Sequence, residues 1–324
     1  MTANDLLTKA LKASGEPTRL RILALLHQGD LSVGELVDIL GQSQPRLSHH
    51  LKTLTQAGLV ERLPEGSWVY YRTARHGQAS RLLATIFNCL DTASEPFAAD
   101  RIALTKVRGT RAQSAEAYFS SIADDWDNIR SLHFPTAAIE TALLDITNKG
   151  PFEKQIDLGT GTGRMLTLFA PRVKDAEGLD ISHHMLTVAR ANLARSGVAH
   201  ARVRQGDVTA TPFEDATADL VTIHQVLHFM DDPSAVIHEA CRLLKPGGEL
   251  VIIDFATHEL DFLREKQGHK RLGIRNADME AWCADAGLTV SPPHRIDPPE
   301  TLEQGLSVLI WKAIRPSSIK DAVA

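Results

Sequence analysis

Gln155-Ile156-Asp157-Leu158-Gly159-Thr160-Gly161-Thr162-Gly163 decides the fold of the larger part of this 324-residue chain. Its first four residues read as the end of a buried strand, and the G-x-G-x-G that closes it reads as a tight turn into a helix. The spacing differs from the G-x-G-x-x-G of dinucleotide dehydrogenases, and a lone glycine loop is a weak signal. The surroundings strengthen it. Glu177-Gly178-Leu179-Asp180 ends a second strand, Gly206-Asp207-Val208 follows a third, and residues 219–224 and 249–254 make two more. A helical pattern that ends at Pro246-Gly247-Gly248 separates the last two. Such alternation predicts a doubly wound α/β domain: a parallel sheet covered on both faces, with a ligand at the carboxyl ends of its strands.

Within that frame Asp180 falls where a carboxylate meets ribose hydroxyls, with Ile181 beside it. Asp207 falls where one accepts from an adenine amino group, with Val208 beside it. His224, Gln225 and His228 end the fourth strand, and His258, Glu259 and His269 follow the fifth. His224, His228 and His258 are the candidates for a general base. Their spacing matches no metal motif, so no metal site is assigned.

Working outward toward the N-terminus, the first hundred residues carry short helical patterns and a hairpin. Pro17 suits a first helical turn, Ser32 and Glu35 form a capping box, and Gly41 ends that helix. Ser43 is the expected N-cap of the next helix, in which Leu47, Leu51 and Leu54 share an inward face. Ser43, Gln44, Arg46, Ser48, His49, His50 and Lys52 are the expected DNA contacts. No Asp or Glu lies between Gln42 and Ala57 to repel phosphate. Arg46 suits guanine edges, Gln44 adenine, and Ser48 bases or phosphate. Residues 59–63, a Pro64-Glu65-Gly66-Ser67 turn and residues 68–72 predict a β-hairpin, and Arg72 on it is a further expected DNA contact.

The ordered series Pro17-Thr18-Arg19, Ser43-Gln44 with Ser48-His49-His50-Leu51, Ala57-Gly58-Leu59-Val60 and the hairpin resembles a known module. It is similar to the winged helix-turn-helix of the ArsR/SmtB family of bacterial repressors, over roughly residues 1 to 90. The resemblance implies a homodimer on double-stranded operator DNA, joined through about Asp5 to Ser14 and about Gln78 to Leu90. Metal-sensing members carry Cys-x-Cys where this chain has Ser32 and Gly34, which supply no thiolate.

Over about residues 114 to 324 the chain resembles the class I S-adenosylmethionine-dependent methyltransferase fold. The glycine loop, Asp180, Asp207 and Leu243-Leu244-Lys245-Pro246-Gly247-Gly248 carry that resemblance. Tyr118-Phe119, Ala123 and Trp126-Asp127 extend it as a lid helix. It implies that Asp157, Gly159, Gly161 and Gly163 cradle the amino-acid part of S-adenosylmethionine or S-adenosylhomocysteine. It also implies that Asp180 holds the ribose, that Asp207 holds the adenine, and that Ile181, Val208 and His224 belong to the same site.

The expected architecture is an α+β winged helix-turn-helix domain over residues 1–93, a helical connector over 94–113 and a Rossmann-like methyltransferase domain over 114–324. The joined pattern resembles a branch of the ArsR family with a methyltransferase-like domain, some members of which respond to S-adenosylhomocysteine. Two functions stay open: a regulator with an adenosyl effector, and a small-molecule methyltransferase with an autoregulatory DNA-binding domain. A DNA-modifying enzyme fits less well, because Asp297-Pro298-Pro299 lies late in the domain and is followed by Glu300.

The formal net charge of -5 argues against a protein coated in basic residues, though not against a local basic face. Cys89, Cys241 and Cys283 form no CxxC, and Cys241 and Cys283 read as core residues, unlike the several pocket cysteines expected of an arsenite methyltransferase. With no signal pattern and no apolar run long enough to span a bilayer, a reduced cytoplasmic protein is expected.

Overall fold

The computed structural model describes residues 3–65, 68–74, 77–121, 136–147, 150–263, 269–299 and 305–317. The chain divides into two compact units, Met1–Ser114 and Ala115–Ala324. The expected lid positions Ala123, Trp126 and Asp127 and the wing residues Gly66, Ser67 and Arg75 lie outside the described residues.

In the first unit, α1 (Ala3–Ser14), α2 (Pro17–His27), α3 (Val33–Leu40), α4 (Gln44–Gln56) and α5 (Gly77–Cys89) surround a small sheet. Its strands β1 (Leu31–Ser32), β2 (Val60–Glu65) and β3 (Trp68–Thr73) run in the order β1-β3-β2. Local rules set the helix ends. Both halves of the Ser32–Glu35 capping box are made, and Gly41 closes α3 in the left-handed region at φ 64°. Ser43 precedes α4 with extended backbone but makes no side-chain capping bond. Leu47, Leu51 and Leu54 are fully buried, as their spacing requires.

The hairpin is longer than expected. Pro64 pairs with Val69 and Glu65 with Trp68, so both belong to strand and not to turn. Pro64 has no N–H to offer the ladder, which made it read as punctuation.

Helix α6 (Phe97–Ser121) continues through Gly109. It was expected as a connector, yet its first half belongs to the first core. Leu104 is buried there, Arg21 makes a two-pronged ion pair with Asp100 at 2.6 and 2.7 Å, and Arg108 donates to Gln28 O at 2.6 Å. Paired guanidinium–carboxylate bonds of this kind are directional and hold a helix in register.

The second unit is an eight-stranded sheet in the order β10-β11-β8-β7-β4-β5-β6, with β9 also paired to β11. β4 (Phe152–Leu158), β5 (Val173–Asp180), β6 (Ala201–Gln205), β7 (Ala218–His224) and β8 (Leu244–Phe255) are parallel to their neighbours within this set. β9 (Thr289–Val290), β10 (His294–Ile296) and β11 (Val308–Ile314) are antiparallel, so the expected parallel sheet is a mixed one. Around it lie α7 (Thr136–Ile146), α8 (Arg164–Phe169), α9 (His183–Arg195), α10 (Pro233–Leu243) and α11 (Asn276–Asp285).

Alternation along the strands feeds two cores, one on each face of the sheet. Val251, Ile253 and Phe255 pack on one face with Val308 and Ile310, while Leu250 and Ile252 pack on the other with Leu309 and Trp311. The Pro246-Gly247-Gly248 turn lies inside β8. There the pairing jumps from Ala218–Leu244 to Leu220–Glu249, and the intervening residues bulge out. Cys283 is fully buried, with its thiol pushed up to about 12 by burial, and half-buried Cys241 is shifted in the same direction.

Candidate ligand and DNA sites

Strand β4 pairs with β5 on one side and β7 on the other, so the chain order reverses at its carboxyl end. That crevice is where open α/β sheets bind ligands, and it holds the glycine loop. Gly159 N and Thr160 N both donate to Leu179 O at 2.8 Å, and Gly161 N donates to Asp180 Oδ2 at 2.8 Å. The three glycines have φ of 74°, 50° and 79°, but their surroundings differ. A Cβ on Gly159 would lie 2.2 Å from Val226 Cγ2 and one on Gly163 3.3 Å from Ala189 Cβ, whereas one on Gly161 would meet nothing within 4 Å. Gly159 and Gly163 therefore serve packing, and Gly161 is the point at which backbone faces open space. Gly159→Ala is expected to destabilise this unit by several kcal/mol, combining a steric clash with left-handed strain; an unchanged melting temperature would contradict this packing role.

The carboxylates stand in three different environments. Asp157 is 1 % exposed; its Oδ1 accepts from Thr222 Oγ1 at 2.6 Å while the buried Oδ2 has no partner. Thr160 Oγ1 and Gln155 Oε1 are likewise buried without partners. Burial raises the Asp157 pKa to about 6, against the lowering effect of the nearby threonines. Half-buried Asp180 accepts from Gly161 N through one oxygen and from Ser182 N at 2.8 Å through the other, and burial shifts it upward too. Exposed Asp207 caps its own turn, accepting from Thr209 N at 2.8 Å and Thr209 Oγ1 at 2.7 Å, and those bonds hold its pKa down.

Ile181, next to Asp180, is 75 % exposed, a large apolar side chain left for something flat to cover, and Val208 is buried beneath the same strand ends. His224 closes β7 with its pKa pushed down to about 4 by burial, so it is neutral at pH 7. Gln225 follows with φ 56°, a left-handed residue of the kind that marks functional turns. These residues fit an adenosyl amino acid. Orphaned carboxylate and hydroxyl oxygens are placed for an ammonium, an open glycine for its carboxylate, and strand-end acids for a ribose and an adenine.

On the first unit, Ser43, Gln44, Arg46, Ser48, His49 and Lys52 are all exposed along α4. Two other expected DNA contacts are withdrawn. His50 is buried, with Glu16 Oε2 3.5 Å from its Nδ1, and burial lowers its pKa. Arg72 is 3 % exposed and faces Asp30 at 3.4 Å, so it holds the hairpin to the core and does not reach phosphate. Helical spacing puts His50 one position from the Leu47–Leu51–Leu54 stripe, and polarity alone had placed it outside. Sequence reading missed Thr160, Gln155, Thr222 and Gly178. A Gly178 Cβ would lie 2.5 Å from Thr160 Oγ1, which makes this glycine necessary to seat the loop. The signal available was Thr222 two residues before His224, on the same strand.

Comparison with known proteins agrees with both halves. Residues 16–62 match the profile of the bacterial regulatory protein, arsR family, and residues 156–252 match that of a methyltransferase domain. The chain joins an ArsR-family helix-turn-helix to a class I methyltransferase domain. The regulatory match implies DNA binding and the methyltransferase match implies an adenosyl ligand.

The methyltransferase domain is similar to the methyltransferase YcgJ of Bacillus subtilis, at 29% identity over 134 residues, covering 40% of this chain and 53% of that protein. It is also similar to the ubiquinone/menaquinone biosynthesis C-methyltransferase UbiE of Shewanella frigidimarina, at 31% identity over 126 residues, 38% of this chain and 50% of that one. The chain thus spans about half the length of the curated relatives it matches. Among solved structures, YcgJ of Bacillus subtilis superposes with TM-score 0.47 at 18% identity, covering 55% of this chain and 98% of that one. A SAM-dependent methyltransferase of Aquifex aeolicus superposes with TM-score 0.45 at 20% identity, covering 58% and 97%. No described helix is long and apolar enough to cross a membrane.

Proposed function

We propose that this chain is a DNA-binding transcriptional regulator, a homodimeric repressor working in the cytoplasm, whose methyltransferase domain takes S-adenosylhomocysteine or S-adenosylmethionine as its effector. The observation that carries the proposal is the pairing of an exposed, acid-free α4 with a glycine loop beside the unpartnered Asp157 oxygen. The first reads DNA, and the second supplies the ligand signal that the missing Cys-x-Cys no longer provides. Domain limits of 1–93, 94–113 and 114–324 remain part of this proposal.

In this reading Asp157 holds the ligand ammonium, Asp180 accepts from the ribose hydroxyls, and Asp207 with Ile181 and Val208 holds the adenine. S-adenosylmethionine brings an electrophilic methyl group on a sulfonium, and S-adenosylhomocysteine brings none. The effector acts by its different affinity for DNA-competent and DNA-incompetent forms. The decisive experiment is binding to a selected operator fragment, titrated with each ligand. A change of at least fivefold in DNA affinity with one of them is expected; the same affinity at saturation with both would sink the effector role. The second reading, a small-molecule methyltransferase, draws on the neutral His224 at the strand end. Release of S-adenosylhomocysteine on addition of an acceptor would support it.

Asp157 makes ligand affinity depend on pH. Its folded pKa of about 6 lies above the ordinary 3.8, so an ammonium meets a carboxylate above pH 6 and a neutral acid below it. Affinity should be flat above about pH 7 and fall as pH drops through 6. Stability has the opposite sign. The folded state holds this proton more tightly, so stability present below pH 3.8 is lost as pH rises through 6, by on the order of 3 kcal/mol. Asp157→Asn should therefore raise the melting temperature of the second unit at pH 7 while abolishing tight ligand binding. A variant that melts lower and binds normally would contradict both points.

A further inference from the structure

The carboxyl ends of β7 and β8 carry three imidazoles that the adenosyl site does not use. His228 is 2 % exposed, with its Nδ1 2.7 Å from Oδ1 of the fully buried Asp254. Asp254 is positioned in turn by backbone donors: Leu227 N at 3.0 Å, His228 N at 3.3 Å and Phe255 N at 2.8 Å. A carboxylate beside Nδ1 keeps the proton on that nitrogen and leaves Nε2 as the ring's acceptor.

His258 has the opposite polarity. Its Nδ1 accepts from Leu260 N at 3.3 Å, which puts the proton of the neutral ring on Nε2, and that buried Nε2 has no partner. The ring of His269, itself buried, lies 4.2 Å from that of His228, and its Nδ1 also lacks a partner. Burial lowers the pKa of His258 and takes that of His269 to about 4, so both rings are neutral at pH 7.

Packing alone does not account for this cluster. Each buried polar atom left unpaired costs about 1–3 kcal/mol, and apolar side chains of the same volume would fill the space without that cost. Among the described residues no three His, Cys, Asp or Glu side chains are placed to hold a metal ion. The two defined polarities, an acceptor on His228 and a donor on His258, match the two capacities of one hydroxyl group.

The walls are aromatic. Phe255 lies 4.9 Å from the His228 ring and stacks on His269 at 5.8 Å, and Phe229, 45 % exposed, lies 4.1 Å from His228. Rings so arranged favour a further aromatic ring in edge or offset contact. The position is beside the glycine loop, since His224 pairs with Ile253 and Val226 packs over Gly159.

We propose that His228, His258 and His269, with Phe229 and Phe255, form a second ligand site that binds an aromatic alcohol of the phenol class through its hydroxyl. The hydroxyl donates to His228 Nε2 and accepts from His258 Nε2–H, and the ring lies against the phenylalanines. Asp254 acts only through His228, as a positioning residue. The site goes beyond the adenosyl effector and is occupied without it.

The test uses the full chain with 15N-labelled histidine, titrated with phenol and with benzene, and S-adenosylhomocysteine binding measured on the same sample. Phenol should give saturable shifts of the His228 and His258 ring nitrogens in the low millimolar range, as befits so small a probe, with benzene at least tenfold weaker. His258→Phe should lose at least tenfold in phenol affinity with S-adenosylhomocysteine affinity unchanged. If that variant melts early, His258→Gln, which keeps a donor, should retain phenol binding. Absence of saturable shifts, equal binding of benzene, or wild-type phenol affinity in His258→Phe would overturn the proposal. Phenol binding without S-adenosylhomocysteine binding would uphold this site and remove the adenosyl effector, and the reverse result would do the opposite.

Discussion

Arg46→Ala is expected to weaken binding to operator DNA by about tenfold or more and to leave adenosyl-ligand affinity unchanged. Arg46 is exposed in the first turns of α4, and an arginine paired with a guanine edge contributes roughly 1–3 kcal/mol of discrimination. A base contact would show as relaxed preference at one operator position. A phosphate contact would instead weaken all sequences alike and lower the salt dependence by about one ion.

Arg72→Ala supplies the contrast. Because Arg72 is buried against Asp30, its loss strands a carboxylate and should cost about 3–5 kcal/mol of stability in the first unit. DNA binding would then fall together with the melting temperature, whereas Arg46→Ala should leave melting unchanged. Full operator affinity in Arg46→Ala would remove α4 as the reading helix.

Asp180→Ala is expected to do the reverse, lowering affinity for S-adenosylhomocysteine by ten- to a hundredfold while DNA affinity without ligand stays normal. Two hydrogen bonds to a charged acceptor, at about 1.5–3 kcal/mol each, set that range after partial compensation by water. The carboxylate also receives Gly161 N and Ser182 N, so the alanine variant loosens the glycine loop as well. Asp180→Asn separates these effects, since it keeps an acceptor for one backbone N–H and loses the charge. An alanine variant that binds as tightly as the parent would take Asp180 out of the ribose site. Loss of both activities in either variant would mean that the unit no longer folds.

Much of the fold was legible because it follows from short-range chemistry. Capping boxes, glycine helix ends and the apolar stripe of α4 act within one or two turns. The five strands of the doubly wound region are marked by apolar runs that end in glycines or acids. The antiparallel β9, β10 and β11 were less legible, since residues 294–296 are polar and 289–290 too short to show a period. Their pairing is made by β11, whose Trp311 is fully buried and donates to Asn276 Oδ1 at 2.8 Å.

The sites divide in the same way. Gly161, Asp180 and Asp207 stand next to the turns that give them away. Thr222, His228 and Asp254 meet across neighbouring strands, and nothing in their own segments announces it. Asp254, read only as the end of a strand, orients His228 across 26 positions of sequence.

What the residues decided locally is therefore the kind of each half: an acid-free helix beside a hairpin, and a glycine loop followed by strand-end carboxylates. Spacing of two, three or four residues carries that information, because side-chain direction repeats with those periods. Which of the polar groups point outward was decided by packing. Arg46 and His50 lie four positions apart on one helix, yet burial leaves the first open to DNA and seals the second. The same holds at the ligand site, where strand pairing sets Asp157 beside Thr222 and the fold closes over its other oxygen, and desolvation lifts its pKa to about 6. Burial depends on what the rest of the chain brings to a residue, and no local spacing encodes it.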